Sequence, residues 1–191
     1  MTSTQEQTSQ TTGLPSPGTY TVDPIHSNVG FVARHLVATK VRGSFTDFEG
    51  TIVIGETPEA SSVRASVKAA SIKTNQDQRD EHLRSTDFFE VETYPELTLV
   101  SKRISPRGDS HFELVADLTI KGTTKEVTFD LEFLGTGPGM APNSTLAGFE
   151  SVATIDRRDF GVNFNGAIEN GSFVLGNKID IEIEVQASKT A

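Results

Sequence analysis

The chain has 191 residues, a formal net charge of −9 and no cysteine. That length suits one domain able to bury a substantial core, and the lack of thiols excludes disulfides, thiol catalysis and thiolate metal sites. The acidic balance supplies no basic footprint for general nucleic-acid binding, and no apolar run approaches the length of a membrane span.

Met1 to Pro17 is rich in Thr, Ser, Gln and Pro. It has neither the basic n-region nor the apolar h-region of a secretory signal. It reads as a disordered tail, so the expected domain covers residues 18–191 and the expected compartment is the cytoplasm.

From Gly18 the pattern becomes that of β-strands. Tyr20 and Val22 alternate with polar neighbours until Asp23-Pro24 turns the chain. Ser27 to His35 is a second strand, with Val29, Phe31 and Ala33 on one face. Val41 to Ile54 is a third, in which Gly50 predicts a bulge or tight bend. Glu56 to Glu59 is a turn. Val63, Ala65, Val67 and Ala69 then share the face of another strand.

Thr74 to Phe89 is the one convincing helix candidate. Asn75 or Asp77 can cap it, and Asp80 precedes Arg84 at the favourable spacing for a surface pair. So short and polar a helix is unstable alone. Phe88 and Phe89 are its expected anchor, making it a lid over one end of a β structure. Tyr94-Pro95 ends the segment, because proline disfavours a helical residue before it.

The second half alternates more strictly. Leu97 to Ile104 is a strand and Pro106 to Asp109 a turn. Phe112, Leu114, Ala116, Leu118 and Ile120 share one face of the next strand. Lys121 to Thr124 reads as a hairpin connection, followed by Val127, Phe129, Leu131 and Phe133 on one face. A Gly/Pro loop is expected from Gly135 to Asn143, a strand from Phe149 to Ile155, and a Gly/Asn loop from Asn163 to Asn177. The last strand places Ile179, Ile181, Ile183 and Val185 together, opposite Asp180, Glu182 and Glu184. Period-two alternation gives each strand one dry and one wet face. The fold class is all-β. About eight such strands form either a closed antiparallel barrel or a sandwich, and alternation does not separate the two.

The motifs in order resemble a known family. Thr21-Val22-Asp23-Pro24-Ile25-His26-Ser27 and Arg34-His35-Leu36 open the series. Val41-Arg42-Gly43-Ser44-Phe45, Phe48-Glu49-Gly50 and Arg79-Asp80-Glu81-His82-Leu83-Arg84-Ser85 continue it. Leu118-Thr119-Ile120-Lys121-Gly122-Thr123 and Arg158-Asp159-Phe160-Gly161 complete it. The set resembles the YceI-like polyisoprenoid-binding family from about Gly18 to the C-terminus. The resemblance implies an extended lipocalin-like antiparallel β-barrel with a short helix at one end. It also implies an isoprenoid-type lipid or isoprenoid quinone as ligand, and a homodimer.

The apolar faces make either a filled core or an apolar tunnel. A tunnel would be walled by Phe31, Phe45, Phe112, Leu114, Ala116, Leu118, Val127, Phe129, Leu131, Ile155, Ile181 and Ile183. Gly43, Ala65, Ala69 and Ala116 favour it, because small residues leave volume unfilled. Arg34, Arg42 and Arg158 are candidates for a lipid phosphate, since guanidinium meets phosphate in a two-pronged contact; the competing reading pairs them with nearby carboxylates. The resemblance places His35 near the ligand. His26, His35, His82 and His111 lack paired metal-ligand spacing, so no metal is expected. No nucleophile elbow, P-loop or dinucleotide fingerprint occurs, so no catalytic residue and no cofactor are expected. The expected function is a non-enzymatic carrier of a hydrophobic small molecule. The alternatives are an enzyme acting on a lipid in the same cavity and a structural barrel used for protein contacts.

Overall fold

A computed structural model of the chain describes residues 13–35, 39–166 and 174–189. Its strands are β1 (Gly18–Val22), β2 (Asn28–His35), β3 (Thr39–Phe45), β4 (Phe48–Ile54), β5 (Ser62–Lys68), β6 (Ile72–Lys73), β7 (Glu96–Pro106), β8 (His111–Ile120), β9 (Thr123–Pro138), β10 (Thr145–Asp156) and β11 (Leu175–Lys189). The helix α1 is Asp77–Arg84.

Every strand pairing is antiparallel. β1 pairs with β4 and β2 with β3, and both also pair with β11. In turn, β4 pairs with β5 and β3 with β6. The six short strands are thus three bent staves, β1/β2, β3/β4 and β5/β6. With the unbroken β7 to β11 they form an up-and-down barrel of eight staves, closed by β1 against β11. Of the two architectures compatible with alternation, the chain adopts the barrel. Closure gives each of the long strands β7 to β11 a partner on both sides.

Each bend has a local cause. Between β1 and β2, Asp23 accepts from Ile25 N at 2.9 Å and bonds His26 Nδ1 at 2.7 Å, and Pro24 has no N–H to give to a ladder. Between β5 and β6 a short 3-10 turn intervenes at Ala69–Ser71. The β3/β4 stave bends at Thr46-Asp47 rather than at Gly50, because the Asp47 carbonyl accepts from Lys68 N at 2.9 Å and Thr46 N reaches Ser71 O at 3.3 Å. Gly50 lies inside β4, where a Cβ would stand 2.8 Å from Val22 Cγ2. It permits close approach instead of bending the strand.

The helix differs in detail from expectation. Gln76, not Asn75 or Asp77, caps it through its side-chain oxygen and Arg79 N. Asn75 takes the left-handed backbone at φ 60° that leads into the cap. Asp80 does not pair with Arg84. It is buried and accepts from Thr74 N at 2.8 Å and Thr74 Oγ1 at 2.5 Å. Arg84 instead donates to the carbonyls of Ala70 and Ile72 at 2.7 and 2.9 Å. These contacts fasten α1 to the third stave. Phe88 is buried and Phe89 packs half-buried against the core, as expected of anchors.

The second half follows the sequence closely. Lys121 and Gly122 both take positive φ, at 48° and 70°, the geometry of a tight hairpin turn. β9 runs on to Pro138, four residues into the expected Gly/Pro loop. Much of the expected loop at 163–177 lies outside the described residues. So do residues 1–12 of the expected tail. Gly13 to Pro17 are described: Leu14 packs against the core, Pro15 is buried, and Ser16 bonds the Tyr20 hydroxyl.

On the outer face, Glu184 stands directly opposite Glu150, and Glu150 directly opposite Glu132. His111 of β8 continues this row, with Nε2 3.8 Å from Glu132 Oε1.

Candidate functional site

The barrel encloses a cavity of about 490 Å³. It reaches from α1 and the segment after β10, where His82, Phe88 and Phe164 line it, to Leu14, Ile54 and Ser61 at the opposite end. Between them the wall is almost wholly apolar.

Most of the expected wall is present. Phe31, Phe45, Phe112, Leu114, Leu118 and Phe129 line the cavity. Leu131, Ile155, Ile181, Ile183 and His35 do so as well. Ala116 and Val127 do not, although both are buried. They stand directly opposite each other across β8 and β9. Their short side chains end before those of Leu114, Leu118 and Phe129 on the same face, so this part of the barrel is filled core.

The small residues leave space for the cavity only in part. Ala65 borders the cavity. Ala69 is buried without lining it. Gly43 frees no volume: a Cβ there would stand 2.3 Å from Phe31 Cζ, so the Phe31 ring occupies that space. Two larger aromatic contacts extend from it, Phe31 to Phe45 and Phe45 to Phe89, each at 5.9 Å between ring centroids.

Two of the three candidate arginines pair with nearby carboxylates. Arg42 lies on the outer face and donates to Glu182 at 2.9 Å. Arg158 is also exposed; its guanidinium donates to Asp156 at 2.9 and 2.7 Å. Arg34 is exposed on β2. Arg157, by contrast, is buried and lines the cavity. Period-two counting along β10 from Phe149 through Ser151, Ala153 and Ile155 reaches residue 157, so the signal was present in the sequence. Arg157 Nη1 donates to Val162 O at 2.7 Å and Phe164 O at 2.9 Å, and Nε to Gly176 O at 3.0 Å. Burial pushes this guanidinium down from its ordinary value. With its donors spent on carbonyls, it clamps the segment after β10 to the start of β11.

The helix end of the cavity carries an aromatic cluster that sequence patterning missed. The His82 ring meets Phe88 and Phe164 edge-on at 5.1 and 4.9 Å, and Phe88 lies 5.2 Å from Phe164. His82 Nε2 bonds Asp87 Oδ2 at 2.7 Å. Arg79 also lines this end and is fixed by Nε to Thr74 Oγ1 at 2.7 Å and Nη2 to Thr74 O at 2.8 Å. Arg79 and Asp80 meet through Thr74. His26, His82 and His111 each lie beside one carboxylate. No cluster of metal-ligating side chains occurs among the described residues. The arrangement can remove a long apolar molecule from water; it presents few groups able to orient a polar one.

Comparison with known proteins agrees with this geometry. A family model for the YceI-like domain matches residues 20–187. A UPF0312 protein of Staphylococcus aureus strain MSSA476 is 37% identical over 171 residues, spanning 88% of this chain and 96% of that protein. Among solved structures, BcnA of Burkholderia cenocepacia aligns with a TM-score of 0.73 at 22% identity, over 86% of this chain and 98% of that one. A polyisoprenoid binding domain from Saccharophagus degradans aligns with a TM-score of 0.63 at 16% identity, over 90% of this chain and 98% of that one. At such identities the two structures speak for a shared fold. The ordered motifs, the eight-staved barrel and these matches agree: the chain belongs to the YceI-like domain family.

Proposed function

We propose that this chain binds a long-chain isoprenoid, or a similar amphiphilic lipid such as an isoprenoid quinone, inside the barrel and carries it without converting it. The observation behind this reading is the apolar cavity of about 490 Å³ running between the two barrel ends. Its size is that of ordinary ligand sites, which occupy about 300–1,000 Å³. Each methylene moved from water into such a site contributes about 0.8 kcal/mol, so a long chain binds tightly through few polar contacts. The polyisoprenoid ligand named for the Saccharophagus degradans domain supports the choice of lipid class. Absence of chemical conversion fits a site in which Arg157 and Arg79 are committed to neutral acceptors. A homodimer is its proposed assembly.

Mass spectrometry of organic extracts from the purified chain tests the reading. A retained isoprenoid in near-stoichiometric amount supports it. A retained substrate and product pair would replace the carrier with an enzyme acting in the same cavity. An empty extract, together with no uptake of isoprenoid by the delipidated chain, would overturn lipid binding altogether.

A further inference from the structure

The end of the cavity away from α1 is closed by a segment that is not part of the barrel. Gly13 to Pro17 precedes β1, and its attachment points lie on opposite sides of the opening. On one side Tyr20, fully buried, donates its hydroxyl hydrogen to Ser16 O at 2.9 Å. There Lys189 Nζ also donates to Ser16 Oγ at 3.0 Å. On the other side Gly13, at φ 55°, lies so near the turn after β7 that a Cβ would sit 3.3 Å from Asp109 O. β1 and β11 are four staves away from the β7–β8 turn in an eight-staved ring. The segment therefore crosses the opening along a diameter, and Leu14 falls between the two attachments. Leu14 packs on the core and lines the cavity, and Pro15 beside it is buried.

The crossing is stiff. Pro15 and Pro17 fix their own φ and restrict the residues before them. Gly18 takes φ +147°, and a Cβ there would stand 2.5 Å from Lys189 Cε. Only glycine lets the lysine stem fold across the backbone to reach Ser16.

We propose that Leu14 forms the floor of the cavity and sets the length of lipid chain that the barrel accepts. The inference rests on the isoprenoid-binding reading above. A wall of strands fixes the width of a ligand, whereas a floor fixes its depth, and depth decides how many isoprene units lie out of water. Leu14 is suited to this task because it lies on a crossing segment outside the strand ladders. Its side chain can change size while every barrel hydrogen bond stays in place.

The test compares the delipidated full chain with Leu14→Ala and Leu14→Trp. Uptake of farnesol, geranylgeraniol and solanesol, prenyl alcohols of increasing length, is measured by competition against a tritiated prenol. A buried methylene is worth about fourfold in affinity, and leucine to alanine frees room for about three carbons, of which partial use gives roughly tenfold. Leu14→Ala should raise the solanesol-to-farnesol affinity ratio by about that factor, and Leu14→Trp should lower it similarly. Deleting residues 1–15 should move the ratio in the same direction as Leu14→Ala. Ratios within about twofold of the parent in all three variants, with the parent binding prenols, would overturn the floor and leave the carrier reading standing. A parent that takes up no prenol would overturn both.

Discussion

The two halves of the barrel wall meet the same requirement by different means. β7 to β11 are unbroken and range from 10 residues in β8 to 16 in β9. The first three staves are pieces of between 2 residues in β6 and 8 in β2. In the unbroken half much of the inner face is closely packed, with Phe129 at 1% and Ala116 and Ala187 at 0% exposure, although Leu131, Ile181 and Ile183 are half-buried against the cavity. In the bent half Val29, Phe31, Val63, Ala65 and Val67 remain half-buried although they point inward. A half-buried inner residue leaves more of its surface to the cavity than a buried one, and the difference separates wall that mainly supports the fold from wall more available to a ligand.

The most direct way to break this comparison is to truncate one aromatic in each half. Phe129→Ala removes a fully buried ring and should cost about 3–5 kcal/mol in urea denaturation. Phe31→Ala, on the cavity side, should cost about half as much or less, because part of its face has no protein neighbour to lose. Equal losses would show that the cavity is an extension of the filled core.

Adding volume sharpens the contrast at a smaller scale. Ala116→Leu should destabilise by about 1–3 kcal/mol, since a close-packed site has no room. Ala65→Leu should cost less than about 1 kcal/mol while weakening prenol uptake, because its added carbons enter the cavity. If Ala65→Leu destabilises as much as Ala116→Leu, Ala65 faces packed core.

The smallest expected effect concerns acid. At the end of β10, the guanidinium of Arg158 holds the Asp156 carboxyl well below the usual carboxylate range, against an opposing push from burial and with help from Arg158 N. A carboxyl depressed in the folded state adds stability that is fully present above the ordinary aspartate value of about 3.9 and is lost as pH falls from there toward the folded value. The melting temperature of Asp156→Asn should accordingly fall below that of the parent at about pH 7, and the gap should narrow at about pH 3. A gap independent of pH would assign the loss to packing.

The sequence was most readable where alternation was unbroken. β8, β9 and the end of the last strand follow period-two counting, because one face is dry and the other, buried Val115 apart, is in contact with water. Legibility failed where short-range contacts overrode the pattern. Arg158 carries the more noticeable motif, yet Arg157 turns inward because β10 keeps its period for one more residue. Gly43 resembles a gap in sequence and is filled by Phe31 in space, a relation between two strands that a single run cannot reveal. Asp80 looked like half of a helix surface pair, and the need to satisfy Thr74 buries it instead. Leu14 was hidden by its surroundings, one apolar residue between Gly13 and Pro15 in a polar stretch. Whether the apolar faces met or stood apart was not legible at all, because alternation reports the direction of a side chain and not the distance across the barrel.

The row formed by Glu184, Glu150 and Glu132 gives the wall an unusual response to ionic strength. Directly opposed side chains on neighbouring strands lie about 5 Å apart, and like charges there oppose pairing. At about 0.1 M salt the screening length is near 10 Å, and at about 1 M it is near 3 Å. Adding salt relieves this row, whereas it weakens surface ion pairs such as that of Lys102 with Glu126 on β7 and β9. The seams β9–β10 and β10–β11 thus tighten under conditions that slacken the charged contacts beside them, and the barrel meets a change of ionic strength with opposing responses around its circumference.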